Sequence, residues 1–166
     1  MKNIAFLLIV LLSSLVIAQE DLTYQKPSAE ILALTDYERA PSVSMDTKKE
    51  FMLLAYRNTY KTLDDLNQEE MRLGGLRINP IVNISSTITY INNLKIRKVM
   101  DTKSDPTQVS GLSENIKIAN IAWSPDDTKI AFTNSTNNGV ELWVIDVATA
   151  KATKLTEAIL NCNLGN

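Results

Sequence analysis

The chain has 166 residues, a formal net charge of -2 and 45% hydrophobic residues, enough for one ordinary domain. Its charges are close to balanced, with neither a basic stripe nor an acidic tail, so nothing points to a nucleic-acid partner. Histidine is absent and cysteine occurs once, at Cys162, which excludes Ser-His-Asp and Cys-His arrangements, the usual zinc sites and an intrachain disulfide.

The N-terminus reads as a secretory signal. Lys2 supplies the positive end, Ile4 to Ile17 the apolar run, and Val16-Ile17-Ala18 the small-residue site, so cleavage is expected after Ala18. The run is short for a membrane span, which needs roughly 20 residues. The expectation is therefore an exported protein, periplasmic or extracellular, with no stable membrane association once residues 1–18 are removed. Residues 19–40 form a polar extension in which Ile31, Leu32 and Leu34 fit a short strand or one helical turn.

Residues 41–112 read as a degenerate four-stranded unit. Val43 to Lys48 match Trp123 to Thr128 in order and turn character, and Glu50 to Tyr56 answer Lys129 to Asn134. Leu94 to Met100, a turn at Asp101 to Asp105, and Thr107 to Leu112 supply its last two strands. An insert, 57–85, interrupts the unit. Thr62 with Asp65 three residues on is a capping pair, Leu63, Leu66 and Leu73 sit near helical spacing, and Gly74-Gly75 ends the run.

Residues 113–157 hold the clearest pattern in the chain. Ala119, Ile121 and Trp123 alternate with Asn120, Ala122 and Ser124, and Ser-Pro-Asp-Asp turns the chain. Ile130 and Phe132 then alternate with polar or small neighbours. Asn138-Gly139 turns again, Val140 to Val147 is a continuous β-prone run, and Ala152 to Thr156 closes the unit. The run is apolar on both sides, as in a strand whose sheet is covered on both faces. Four short strands of this kind make a propeller blade, and propellers stack roughly 4–8 of them. The fold expected is all-β: an incomplete β-propeller of about two four-stranded blades with a short helical insert, preceded by a signal peptide. Residues 158–166 read as the start of a further blade that is cut short. Trp123 is expected to fill the wedge between blades, near Phe132 and Trp143.

These motifs resemble a known family. W-S-P-D-x-x-x-I-A-F followed by E-L-W-V-I-D-V-A-T is similar to the propeller repeats of prolyl oligopeptidase-family serine peptidases. Glu70 to Pro80, E-M-R-L-G-G-L-R-I-N-P, resembles a stretch of the glutamyl endopeptidase branch, and Val109-Ser110-Gly111-Leu112 fits it too. Two turns depart from that pattern, with Asp127 and Ala150 where glycine is usual. The resemblance implies an N-terminal propeller that restricts peptide access to a C-terminal α/β-hydrolase domain. It implies no cofactor. No G-x-S-x-G elbow occurs here, so no catalytic residue carries over and this chain should be inactive alone. The rival expectation is a non-enzymatic periplasmic propeller that binds a protein partner. The oligomeric state stays open.

Few residues qualify as site candidates, and none as a metal or cofactor ligand. Arg72 and Arg77 could fork onto an acidic substrate side chain, against the plainer reading of salt bridges within the insert. Glu69-Glu70 reads as a solvated helix face, and Lys95, Arg97 and Lys98 as an exposed strand face. Asn83 and Asn134 begin N-x-S/T sequons.

Overall fold

A computed structural model describes residues 25–35 and 37–163. The signal expected at residues 1–18 lies outside them. The chain divides into two compact units at Tyr37 and Glu38. Of the first, the structure describes helix α1, Ala29–Thr35, whose hydroxyl at Thr35 donates back to the Leu32 carbonyl. The helical alternative for residues 31–34 is therefore the one adopted. No helix among the described residues is long and apolar enough to cross a membrane.

The second unit is mostly β-structure in three antiparallel sheets, with no closed barrel. The first sheet orders β1 (Ser42–Met45), β2 (Phe51–Tyr56), β6 (Asn93–Lys98) and β7 (Thr107–Gln108) side by side. The second orders β8 (Ile118–Trp123), β9 (Lys129–Thr136), β10 (Gly139–Asp146) and β11 (Lys151–Lys154). Between β2 and β6 lie a one-turn helix, α2 (Leu63–Leu66), and a small sheet of β3 (Met71–Leu73), β4 (Leu76–Asn79) and β5 (Ile84–Ser85).

The two four-stranded sheets pack around one core. Leu53, Ala55, Leu94 and Ile96 come from the first; Ile118, Ile130, Phe132, Trp143 and Ile145 come from the second. Period-2 alternation places them. Leu53 pairs with Ile96 and Ala55 with Leu94, while Phe132 pairs with Trp143 and Ile130 with Ile145, so each pair points to one face. Phe132 and Trp143 stack with centroids 6.1 Å apart. Several ties join the sheets at different places, among them the following. The Trp123 indole donates to Ser44 Oγ at 3.0 Å. The Asp127 carboxylate accepts from the Thr47 backbone and hydroxyl. Ser110 exchanges backbone bonds with Ala150 and Ala152.

Both sheets share one turn geometry, in a register that differs from the sequence match. The Ser124 backbone N–H donates to Lys129 O and Asp127 N–H to Ser124 O; likewise Asp46 donates to Phe51 O and Lys49 to Asp46 O. Lys49 and Asp127 both have positive φ, 57° and 63°. Asp46 thus stands where Ser124 stands, and its carboxylate takes the Glu50 and Phe51 amides as the Ser124 hydroxyl takes the Lys129 amide. Residue identity sets Asp46 against Asp126; backbone bonding sets it two residues earlier in the turn.

Other expectations change as well. The alternation of Ala119, Ile121 and Trp123 is broken by a bulge between Ala119 and Ala122, with Asn120 at φ 49°. The extra residue turns Ala119 to the opposite face, into a second cluster with Val82, Ile84 and Val140. Trp123 is only half-buried beside the core, and Phe132 is the fully buried ring. Along β10, Trp143 and Ile145 are buried on one face, while on the other Val140 is buried but Leu142 and Val144 are only half-covered. Gly74-Gly75, at φ 54° and 94°, makes the two-residue turn of the β3–β4 hairpin instead of closing a helix. The helix stops at Leu66, with Leu63 and Leu66 exposed. Ala150 keeps φ 50°, so the strain expected of a non-glycine residue there is present, at a cost of roughly 1–2 kcal/mol.

Candidate functional site

The insert gathers the polar chemistry of the chain. Thr62 caps α2 as expected: its Oγ1 accepts from Asp65 N at 3.1 Å while the Asp65 carboxylate accepts from Thr62 N at 3.2 Å. That cap fixes Asp65 where Lys117, just before β8, reaches it at 3.1 Å and reaches Asp64 at 3.4 Å. Burial works against the charge on Lys117, yet Asp65 and Asp64 outweigh it and raise the ammonium above its ordinary range. Burial likewise opposes ionisation of Asp65, but the bonds from Thr62 and Lys117 hold its carboxyl below the usual value. The same ammonium lies 5.7 Å from the centroid of the Tyr90 ring. Asp64, Asp65, Tyr90 and Lys117 line a cleft of about 290 Å³ together with Gln68, Asn79 and Ser135.

The hairpin β3–β4 places Arg72 opposite Arg77 on one face and Met71, Leu73, Leu76 and Ile78 on the other. Both arginines bind Glu70: Arg72 donates once, from Nε at 2.7 Å to Oε1, and Arg77 donates through Nε and a terminal nitrogen, each at 2.8 Å, to Oε2. Ser86 donates to the same Oε2 at 2.6 Å. Hydrogen bonds from Arg77, Ser86 and Arg72 push the Glu70 carboxyl down to about 2. Arg72 and Arg77 thus meet each other and an internal acid. Their side chains remain 75% and 50% exposed, with donors turned to solvent. An acidic ligand would have to compete with Glu70. Glu70 itself lies outside any helix, which corrects the helix-face reading of Glu69-Glu70; Glu69 is exposed.

Chemically this site can bind but has no built nucleophile. Ser86 sits on Glu70, yet a carboxylate that titrates near 2 is a poor base at neutral pH, so the pair does not activate the hydroxyl. Burial pushes the Cys162 thiol up, away from thiolate. No group of three or more acidic or thiol side chains able to hold a metal occurs among the described residues. The basic run divides. Lys95 lies over the Tyr56 ring at 5.1 Å, Arg97 donates to the Asp101 carbonyl at 2.6 Å, and Lys98 is exposed. Of the sequons, Asn83 is exposed, whereas Asn134 is 4% exposed and holds Lys117 N and Glu141 through its carboxamide.

The capping pair signalled Asp65 in the sequence. Nothing local signalled Lys117 or Tyr90, which reach the insert from elsewhere in the chain.

Two curated plant proteins resemble the chain. It is 29% identical over 140 residues to a probable chloroplastic glutamyl endopeptidase of Oryza sativa subsp. japonica, covering 80% of this chain and 15% of that protein. It is 28% identical over 139 residues to a probable chloroplastic glutamyl endopeptidase of Arabidopsis thaliana, covering 80% of this chain and 14% of that one. The chain thus spans about one-seventh of the length of these relatives. No protein-family model matches it. No solved structure matches it.

Proposed function

We propose that the chain is the N-terminal propeller portion of an exported serine peptidase of the prolyl oligopeptidase family, on its glutamyl endopeptidase side. In this reading the two four-stranded sheets are successive blades, residues 41–112 and 113–157, and residues 1–18 are an export leader. The blades restrict peptide access to an α/β-hydrolase domain that this chain does not contain. One observation carries the reading. Most of the chain aligns with two proteins named glutamyl endopeptidase, and the described part forms two face-to-face antiparallel sheets with the same β1–β2 and β8–β9 turn. The half-covered Leu142 and Val144 support it, since a further blade would finish their burial. The insert serves as a rim element whose arginines are held ready by Glu70.

The test is to read the gene beyond codon 166 and to express whatever longer product it encodes. A serine-directed covalent probe should label that product at a G-x-S-x-G serine, and it should cut peptides after glutamate. The 166-residue chain should do neither. A longer product with only further blades, or with no such serine and no histidine, would remove the peptidase assignment.

A further inference from the structure

The β3–β4 hairpin leaves the outer side of β3 open. Leu73 and Leu76 flank its two-residue turn, so Arg72 and Arg77 form the next, non-hydrogen-bonded pair. The Arg77 backbone accordingly faces away from β3, and its carbonyl takes the Ser86 amide at 3.0 Å. By the same geometry the Arg72 N–H and C=O point away from β4, and no described residue bonds to either. We propose that this edge is a docking site for an extended protein segment in which acidic residues alternate with apolar ones, added to β3 as a further strand.

Backbone supplies the attachment and side chains supply the choice of partner. An added strand pairs its own amide and carbonyl with those of Arg72, and its side chains fall alternately on the two faces of the hairpin. One face carries Arg72 and Arg77. Glu70 occupies Nε of Arg72 and, on Arg77, Nε and one terminal nitrogen. Both terminal nitrogens of Arg72 and one of Arg77 have no partner among the described residues. An incoming acid competes with Glu70 for the positive charge, yet it meets nitrogens that Glu70 leaves unbonded. Two guanidinium groups share that one carboxylate, so the cluster keeps charge to offer. The other face carries Met71, Leu73 and Leu76, all exposed, which suits the apolar alternate residues.

Openness alone does not single out β3, because β1 and β7 also lie at sheet edges. Ser42–Met45 and Thr107–Gln108 carry no charged side chain, so neither strand selects a partner by charge. The remaining edges are already met: β8 by Ile91, β11 by Ser110 and β5 by Cys162. A second copy of the chain is the poorer occupant, since it would bring a second positive cluster to the same face. The segment is held and not cut, because the hairpin builds no activated nucleophile. This inference therefore does not depend on the peptidase reading above.

The experiment titrates the full chain into a labelled peptide of about eight residues that alternates glutamate and valine. Fluorescence anisotropy reads binding, and amide NMR of the protein reads its place. Saturable binding is expected, with the shifted amides centred on Arg72. A lysine–valine peptide should bind about tenfold more weakly or less, and Arg72→Gln should weaken the glutamate peptide by about as much. N-methylation separates strand addition from plain charge attraction without altering the protein. Methyl groups on the glutamate amides, which face Arg72 in the added strand, should weaken binding about tenfold or more, and on the valine amides by about twofold or less. The proposal fails if the glutamate peptide does not bind, if the lysine peptide binds as well, if Arg72→Gln leaves the affinity unchanged, or if the two methylated peptides bind alike. It fails too if the shifted amides lie away from the hairpin, or if the chain pairs with itself through β3.

Discussion

Replacing Phe132 with alanine should destabilise the protein more than replacing Trp123, although tryptophan is the larger ring. Phe132 is 0% exposed and stacks on Trp143, within the cluster that joins the sheets. Removing a fully buried phenylalanine costs about 3–5 kcal/mol, and the lost aromatic pair keeps the value toward the upper end. Trp123 is half-buried at the margin of that cluster, so roughly half of such a loss, about 2 kcal/mol, is expected. Its bond to Ser44 is exposed, and water takes over much of it. The two variants should therefore differ by about 2 kcal/mol. With an m-value of about 1–3 kcal/mol per molar urea, that separates their midpoints by roughly 1 M. Urea unfolding followed by far-UV circular dichroism measures both on one probe, with Phe132→Leu as an intermediate that retains part of the core. Equal midpoints, or a lower one for Trp123→Ala, would mean that Trp123 is the ring filling the space between the sheets, and the packing described here would be wrong.

The remaining predictions concern the insert and its supports. Hydrogen bonds from Arg77, Ser86 and Arg72 hold the Glu70 carboxyl down to about 2 in the fold, against 4.5 ordinarily. Its stabilising effect on the β3–β4 hairpin is present above the unfolded value and is lost as pH falls through about 2; Arg77→Met should move the folded value up toward the ordinary one, read by carboxyl NMR. Gly139 has φ 145°, and an added Cβ would lie 2.4 Å from the Ala158 carbonyl oxygen. Gly139→Ala should lower stability by about 1–3 kcal/mol and speed amide exchange at Leu160, which bonds to Val140. In a glycosylating host, mass analysis should find sugar on Asn83 and none on Asn134 of the folded protein, because the Asn134 carboxamide is buried and bonded.

What the sequence disclosed was local chemistry with a short period. Strands β9, β10 and β11 were readable because alternation and turn residues coincide there, and the cap of α2 was readable because Thr62 and Asp65 carry it alone. The bulge at Asn120 was hidden, since one extra residue leaves no mark on composition and shifts every later side chain to the other face. The β3–β4 hairpin reads as the end of a helix in the sequence because Leu63, Leu66 and Leu73 sit near helical spacing and Gly-Gly serves a helix end as readily as a two-residue hairpin turn. The candidate site was the least legible part. Arg72 and Arg77 stood out, but their partner Glu70 is set by the hairpin register, and Lys117 meets Asp65 from 52 positions away. No local pattern encodes such meetings.

The last described strand contact bears on the order of folding. Ile84 bridges Cys162 in parallel, and Cys162 N–H donates to the Asn83 carbonyl at 2.8 Å. Closing that contact joins positions 78 apart, whereas the β9–β10 hairpin closes across Thr136 and Gly139. The loop entropy difference is about 2–3 kcal/mol. By that measure the β9–β10 hairpin is expected to close before the insert is fastened to Cys162. The same asymmetry runs in reverse. Native-state amide exchange should show it, with the Cys162 N–H exchanging ahead of the β9–β10 ladder.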